Sequence, residues 1–227
     1  MKDEPIRRIS AVEQQPKNRS RYNIFVEGSY AFSVHEDVLV RFRLFKNEPI
    51  DEEGIQTILD AEEKQTAYAT ALRFLGRKPR SAKEVRDKLA SKQFTSEVID
   101  HTMDRLVADK YVNDEQFSEL WTENRIYYQK KGRRLIQQEL LQKGVAKTLV
   151  QHTLEEINPE DEFRVALEAG AKKWARTYQT KLERKHKTAS FLMRRGFTGA
   201  LVQRVLRELE QRSDVDAEPE NGWEEED

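Results

Sequence analysis

Three stretches of the chain repeat one spacing of apolar and polar residues. Leu89, Leu140 and Leu192 are separated by 51 and 52 residues, and each lies in a segment whose apolar positions follow the period of a helix. A basic residue, a junction residue and an apolar residue then recur in that order. They are Lys92-Gln93-Phe94, Lys143-Gly144-Val145 and Arg195-Gly196-Phe197. A second amphipathic helix follows each junction and another precedes each pair, so the pattern predicts three tandem three-helix repeats.

The junction residues indicate how the helices end. Glycine just past a helix adopts the left-handed conformation that satisfies the last carbonyl groups, and Gly144 and Gly196 fit this device. Gln93 departs from it, so the first repeat turns at some conformational cost. Ser81 and Glu84 have the spacing of a capping box at the start of a helix. Further polar caps are expected at Asn113 and Asn158.

The first 50 residues follow a different pattern. Runs typical of β-strands occur at 6–12, 22–26 and 30–34, and the Glu27-Gly28-Ser29 turn between the last two predicts a hairpin. The apolar spacing of residues 36–45 predicts a short helix, which Asn47 to Pro49 should end.

These elements predict a mainly α protein, with tandem three-helix repeats in an elongated, curved array, a small N-terminal β-ribbon and a disordered acidic tail. The expected boundaries are a β-hairpin extension with a short helix at 1–50, repeats at 51–112, 113–158 and 159–212, and the tail at 213–227. The tail carries eight acidic residues, no basic residue and no apolar period, which favours disorder.

Composition narrows the class of protein. The 227 residues are 37% hydrophobic with a mean hydropathy of -0.86, and they include no cysteine. Disulfides and thiolate chemistry are therefore excluded. The chain has neither an apolar run of membrane-spanning length nor an apolar secretory signal after Met1. We expect a cytoplasmic protein without a membrane partner, and a monomer.

The sequence offers no candidate active site. It lacks a glycine-rich phosphate loop, a metal-binding histidine spacing and a nucleophile elbow. His101 and His152 occupy equivalent positions in two repeats, which indicates a repeated surface position rather than a metal site. The acidic groups Asp114-Glu115 and Glu160-Asp161-Glu162 lie in first helical turns, where they favour the helix dipole. We therefore predict no catalytic, cofactor or metal site, and not an enzyme.

Basic residues form the one recurrent polar feature. Net charge is -1 overall, but residues 1–212 carry +7, and nine Lys or Arg residues lie between Lys172 and Arg195. Clusters fall at the joint between the first two helices of each repeat. The three clusters are Arg77, Lys78 and Arg80; Lys130, Lys131, Arg133 and Arg134; and Arg184, Lys185, His186 and Lys187. In a stacked array such clusters would form a line of charge able to engage phosphates or an acidic protein groove. We expect alanine at the four positions of the second cluster to leave the fold intact.

The same residues resemble the RecX family of regulatory proteins, which modulate the RecA recombinase. The resemblance covers about residues 67–209. It rests on Arg80-Ser81, Glu84-Val85 and Leu89; on Tyr111-Val112-Asn113-Asp114, Phe117 and Arg125; on Gly132, Ile136, Glu139-Leu140 and Lys143-Gly144-Val145; and on Lys187, Leu192 and Arg195-Gly196-Phe197. The segment Tyr22-Asn23-Ile24-Phe25 before Gly28 is similar to the N-terminal extension of members from Gram-positive bacteria. Asn113 replaces the first acid of the family's Asp-Asp pair and keeps a helix cap.

The resemblance implies a protein that lies along the groove of a RecA–DNA filament and restrains its ATP hydrolysis and strand exchange. Single- or double-stranded DNA would then be contacted weakly or through the filament. A protein whose repeats dock on DNA directly, without RecA, is the alternative. The candidate contact residues are Lys130, Lys131, Arg133, Arg134, Lys143, Arg184, Lys185, Lys187, Arg194 and Arg195. Arg125 suits partner contact or an internal ion pair equally.

Overall fold

The structure is a computed structural model that describes residues 7–177 and 180–215. The chain divides into two units, residues 1–113 and 114–227. Each unit is mainly helical, and the predicted tandem of three-helix repeats with a small N-terminal β portion is confirmed. The last helix continues to Val215, and the part of the predicted acidic tail beyond it lies outside the described residues. No described helix is both long and apolar enough to cross a membrane.

The N-terminal portion of the first unit is an antiparallel sheet with strand order β3-β2-β1-β4. The strands are β1 (Arg7–Gln15), β2 (Asn18–Val26), β3 (Ser29–His35) and β4 (Pro49–Ile50). The predicted hairpin is confirmed between β2 and β3, where Glu27 and Gly28 both have positive φ, 52° and 83°. Two successive left-handed residues match the twist of the flanking strands.

The predicted short helix is shorter than its apolar spacing indicates. Helix α1 spans Glu36–Arg41, not 36–45. Arg43 (φ 50°) and Asn47 (φ 75°) take left-handed conformations that a right-handed helix cannot hold. The chain therefore folds back after α1, and Pro49 pairs with Arg8 to add β4 to the sheet.

Helix α2 (Glu52–Leu75) connects two hydrophobic cores of the first unit. Its first half packs Ile58 against the buried side of the sheet. Its second half places Ala67 and Ala71 in the core of the first repeat. Between them, buried Glu62 accepts a hydrogen bond from the amide of His35 at 2.6 Å and pairs with Arg21 at 2.8 Å. A charged group can lie between the cores because partners to both of its oxygens offset the cost of burial.

The three repeats use equivalent helices. The first repeat consists of the second half of α2 with α3 (Ala82–Ala90) and α4 (Ser96–Ala108). The second consists of α5 (Asp114–Glu123), a π-helical segment at Asn124–Tyr128, α6 (Arg133–Gln142) and α7 (Lys147–Glu155). The third consists of α8 (Pro159–Ala175), α9 (Lys181–Arg194) and α10 (Gly199–Val215). The second and third repeats share one continuous core in the second unit.

A small residue recurs where the first and third helices of a repeat cross. In the second repeat Ser118 and Thr153 hydroxyls hydrogen-bond at 2.9 Å. In the third repeat these positions hold Gly170 and Val205, and a Cβ on the glycine would lie 3.1 Å from the valine Cγ1. Small side chains let two helix backbones approach closely, so these positions set the distance between the helices.

The left-handed helix ends at the three junctions and the caps at Ser81 and Asn158 are confirmed. Gly144, Gly196 and Gln93 have φ of 80°, 86° and 65°, so the first repeat makes the same turn with a residue that has a Cβ. Ser81 and Glu84 form both hydrogen bonds of a capping box, and the Asn158 side chain accepts from the amide of residue 160. The leucines at 89, 140 and 192 are fully buried.

Candidate interaction surface

The second and third repeats meet through their backbones at two glycines. The amide of Gly132 donates to the carbonyl of Arg195 at 2.8 Å, and the amide of Arg134 donates to the carbonyl of Gly196 at 3.1 Å. A Cβ at Gly132 would collide with the Gly196 carbonyl group, and one at Gly196 would lie 2.5 Å from the Cβ of Leu135. Only glycine at both positions permits this approach, so the joint before α6 is fixed against the end of α9.

Ion pairs strengthen the same junction. Arg133, in the first turn of α6, donates through its amide and its Nε to the two carboxylate oxygens of Glu162, at 3.1 and 2.7 Å. Glu162 is 3% exposed, so this is a buried pair with both acceptor oxygens satisfied. Lys130 pairs with Glu168 at 2.8 Å. Hydrogen bonds from Lys130 and Lys172 lower the pKa of Glu168 to about 2, so this acid stays ionised further into the acidic range than an ordinary glutamate.

A second charged cluster anchors the chain that precedes the junction. Glu139 of α6 accepts hydrogen bonds from Arg125 at 2.7 Å, Lys131 at 2.6 Å and the indole of Trp121 at 3.0 Å. Burial alone raises the pKa of Glu139, but the hydrogen bonds from Lys131 and Arg125 outweigh it and lower the pKa. The Arg125 guanidinium also lies 3.6 Å from the Trp121 ring centroid. Of the two roles open to Arg125, the structure shows the internal ion pair.

The junction borders an open cleft of about 600 Å³. Its lining combines basic side chains from both repeats with one aromatic ring. The lining residues are Tyr128, Gln129, Lys130, Lys131, Leu135, Arg194 and Arg195. Arg195 is held in place because its guanidinium donates to the carbonyl of Gln129. Folding thus brings together residues that lie 66 positions apart in the sequence.

Two exposed side chains of this lining are available to a partner, and so is exposed Arg134, which precedes the lining residue Leu135 in the sequence. Tyr128, at the end of the π-helical segment, is 79% exposed. Arg194 in the lining and Arg134 in the first turn of α6 are exposed, and neither makes an ion pair or side-chain hydrogen bond with another described residue. π-Helical turns are frequent at functional sites because they redirect side chains. We use the name junction cleft for the residues of the cleft lining together with Arg134.

The other candidate contact residues lie elsewhere. Lys143, at the C-terminal end of α6, lies over the Trp121 ring with its Nζ 4.2 Å from the centroid. Arg184, Lys185 and Lys187 were expected at the joint before the second helix of their repeat, but that position is wrong. Thr180 caps α9 by accepting from the amide of Glu183, so the helix starts one turn early and includes all three. They lie in the first half of α9, about 10–15 Å along the helix from Arg194 at 1.5 Å per residue.

Arg184 and Lys185 contact groups within the second unit. Arg184 donates to the carbonyl of Thr177 at 2.8 Å, and Lys185 pairs with Glu210 at 3.1 Å. In the first repeat, Arg80 stacks on Phe74 with 4.1 Å from its guanidinium carbon to the ring centroid. Exposed Arg77 and Lys78 do occupy the joint between α2 and α3.

The expectation that the second basic cluster can be replaced without structural cost needs revision. Arg133 and Lys131 hold Glu162 and Glu139, and only Arg134 of the four makes no ion pair with a described residue. Glu162 was missed as a partner because a carboxylate in a first helical turn has a sufficient local explanation. One signal was present for Glu162, since it precedes Ala166 by four residues and shares the buried stripe of α8.

The chemistry available in the junction cleft is recognition of anions. Guanidinium groups bind phosphate or carboxylate through paired hydrogen bonds, and an exposed tyrosine adds an apolar face. Among the described residues no three His, Asp or Glu side chains converge as a metal site.

Comparison with known proteins covers both units. Models of a regulatory protein RecX N-terminal domain match residues 7–51, and those of the first, second and third RecX three-helix domains match residues 67–106, 113–154 and 160–206. Two similar relatives are proteins called regulatory protein RecX. The one from Listeria monocytogenes EGD-e is 33% identical over 94% of this chain and 80% of its own length. The one from Bacillus cytotoxicus is 33% identical over 91% of this chain and 78% of its own length.

Two solved structures are also similar. A crystal structure of regulatory protein RecX is 28% identical, with a TM-score of 0.73 over 88% of this chain and 98% of that chain. The RecX structure from Lactobacillus salivarius is 22% identical, with a TM-score of 0.63 over 66% of this chain and 99% of that one. The second bears on the fold alone.

Proposed function

Since this chain belongs to the RecX family of regulatory proteins, we propose that it binds the filament of the RecA recombinase on DNA and inhibits its ATP hydrolysis and strand exchange in recombination and repair. The relatives are named as regulators. The protein would act as a monomer in the cytoplasm. Inhibition would follow from occupancy of the filament, with no chemical step by the regulator itself.

The junction cleft is the observation that supports this proposal most directly. Its backbone contacts and the ion pair of buried Glu162 fix two repeats in one arrangement, so the segments that carry the exposed cations need no ordering when a partner binds. Arg194, Arg134 and Tyr128 are types that contribute strongly to protein interfaces, because they combine hydrogen bonding with a large contact area. An acidic groove of a filament is a matching surface for them.

A RecA assay tests the proposal. DNA-dependent ATP hydrolysis by RecA on single-stranded DNA is measured with increasing regulator, comparing the native chain with Arg134→Glu/Arg194→Glu. We expect the native chain to inhibit at no more than about one molecule per RecA subunit. The double variant should need at least about tenfold more protein for the same inhibition, a loss of binding free energy of about 1.4 kcal/mol. Arg207→Glu is the control, since Arg207 of α10 is exposed and outside the cleft. Absence of inhibition by the native chain would refute the proposal.

Direct docking on DNA is the second candidate function. The combination of exposed Tyr128 with neighbouring cations favours it, because aromatic rings stack on bases while cations follow the phosphate backbone. It predicts tight binding to bare single-stranded DNA that weakens steeply with salt. Inhibition of RecA should then disappear when DNA is in large excess. Inhibition that persists in DNA excess would favour the filament instead.

A further inference from the structure

A second basic cavity lies in the first unit, where the N-terminal portion meets the first repeat. It has a volume of about 290 Å³ and is walled by the end of α1, the middle of α2 and the middle of α4. Its size falls at the lower end of pockets that hold small molecules, which begin at roughly 300 Å³. No part of the proposed function uses it.

The floor of this cavity is preorganised by polar contacts. Gln65, which is 8% exposed, donates to Asp37 at 2.6 Å and accepts from Arg105 at 3.0 Å. The Arg105 guanidinium carbon lies 3.7 Å from the centroid of the Tyr68 ring. The Tyr68 hydroxyl donates to Asp109 at 2.6 Å. Three helices are thus cross-linked beneath the cavity, and its shape does not depend on a ligand.

Several basic side chains in the walls are not paired with the polar groups of the floor. Arg41, Lys64 and His101 line the cavity, and none of them makes an ion pair or hydrogen bond with a described side chain. One lining acid, Asp60, faces them and already accepts a hydrogen bond from Gln56 at 2.8 Å. Free cations converging on a concave site with a fixed floor are the arrangement that binds small anions, because the confined field is less screened than on an open surface.

We propose that this cavity binds a phosphomonoester of nucleotide size, with its phosphate between Arg41 and Lys64. A phosphomonoester carries close to two negative charges at neutral pH and three acceptor oxygens, which two cations and an imidazole donor can satisfy together. The ring of Phe42, half-buried in the wall, offers an apolar surface beside the phosphate. A free nucleotide and the 5′-phosphate of a DNA end share this chemistry.

Equilibrium binding to the full chain tests the inference. AMP and ADP are titrated by calorimetry, with adenosine as the probe that lacks phosphate. A short oligonucleotide with and without a 5′-phosphate distinguishes the second source. We expect saturable millimolar or tighter binding of AMP and ADP, and no binding of adenosine. Preference for the 5′-phosphorylated oligonucleotide over its unphosphorylated form would assign the phosphate to DNA ends.

Variants localise the binding. Arg41→Gln/Lys64→Gln should weaken phosphate binding by at least about tenfold, the equivalent of 1.4 kcal/mol. Lys17→Gln is the matched control, since Lys17 is exposed and outside the cavity. Circular dichroism verifies that each variant is folded, and single substitutions replace the double variant if it is not. The inference fails if no phosphate compound binds at millimolar concentration, if adenosine binds equally well, or if the cavity variants bind as the control does. Inhibition of RecA should be unchanged in the cavity variants. A failure of phosphate binding can therefore be distinguished from a failure of the proposed regulation of RecA.

Discussion

Alanine at Gly132 and Gly196 tests the glycine junction between the second and third repeats. At Gly196 two costs add. A left-handed alanine (φ of the glycine is 86°) costs about 1–2 kcal/mol. Its Cβ would also lie 2.5 Å from both the backbone nitrogen and the Cβ of Leu135, and relieving such an overlap costs about 1–3 kcal/mol. We therefore expect Gly196→Ala to lower the free energy of unfolding by about 2–5 kcal/mol.

Other glycines separate these two costs. Gly132 has an ordinary φ of -86°, so Gly132→Ala isolates the overlap with the neighbouring backbone and should cost about 1–3 kcal/mol. Gly28 has a φ of 83° and no atom within 4 Å of a built Cβ. Gly28→Ala thus isolates the left-handed conformation and should cost about 1–2 kcal/mol. Gly199→Ala is the neutral control, because its Cβ also meets open space and α10 begins there with an ordinary φ.

Urea unfolding provides the measurement. All three tryptophans, Trp121, Trp174 and Trp223, fall within residues 114–227 of the second unit, and the first unit contains none. Tryptophan fluorescence therefore follows the unit that contains the junction, while circular dichroism follows both units and reports Gly28→Ala. If Gly132→Ala unfolds at the same urea concentration as the native chain, the backbone contact between the repeats is refuted. Equal costs at Gly196 and Gly28 would show that the left-handed conformation alone explains the effect.

Three further substitutions test other parts of the structure. Gln93→Gly should raise the free energy of unfolding by about 1 kcal/mol, because glycine adopts the left-handed turn without strain; a lower melting temperature would contradict this. Arg133→Ala leaves buried Glu162 with only the backbone amide of residue 133 and should cost about 1–3 kcal/mol in urea unfolding, whereas Arg134→Ala should change little; equal effects would refute the structural role assigned to Arg133 alone. Glu139→Gln should cost about 1–3 kcal/mol at neutral pH. Since the folded pKa of Glu139 is lowered, this carboxylate stabilises the fold above its ordinary pKa of about 4.5 and loses its effect as pH falls through the lower folded value. The native chain and Glu139→Gln should therefore converge in stability in acid, and a difference that persists there would contradict the ion-pair cluster.

The repeats and their turns could be predicted from the sequence because both depend on local patterns. The period of 51 and 52 residues identified equivalent helices, and glycine at 144 and 196 indicated left-handed helix ends. The early start of α9 was also encoded locally, by Thr180 and Glu183 at the spacing of a capping box. It was missed because the alignment of repeats was extended through that joint.

The division of basic residues into structural and exposed ones could not be predicted. Charge and position alone made Arg133 and Arg134 equivalent. Their difference depends on Glu162, which is 29 residues from Arg133 and approaches it only when two repeats pack. Similarly, the local sequence around Gly132 indicates only the start of a helix. The requirement for glycine at this position comes from contact with Gly196. Long-range packing decides which cations remain for a partner.

The location of the junction cleft on a filament tests the central claim most directly. Because the chain contains no cysteine, Arg194→Cys and Arg207→Cys each introduce one unique site for a photo-activated cross-linker. Each labelled protein is added to RecA filaments on single-stranded DNA, and the cross-linked products are identified by mass spectrometry. We predict that the linker at residue 194 captures RecA and that the linker at residue 207 captures much less. Equal capture from both positions, or capture of DNA alone from residue 194, would contradict the assignment of the junction cleft to the recombinase.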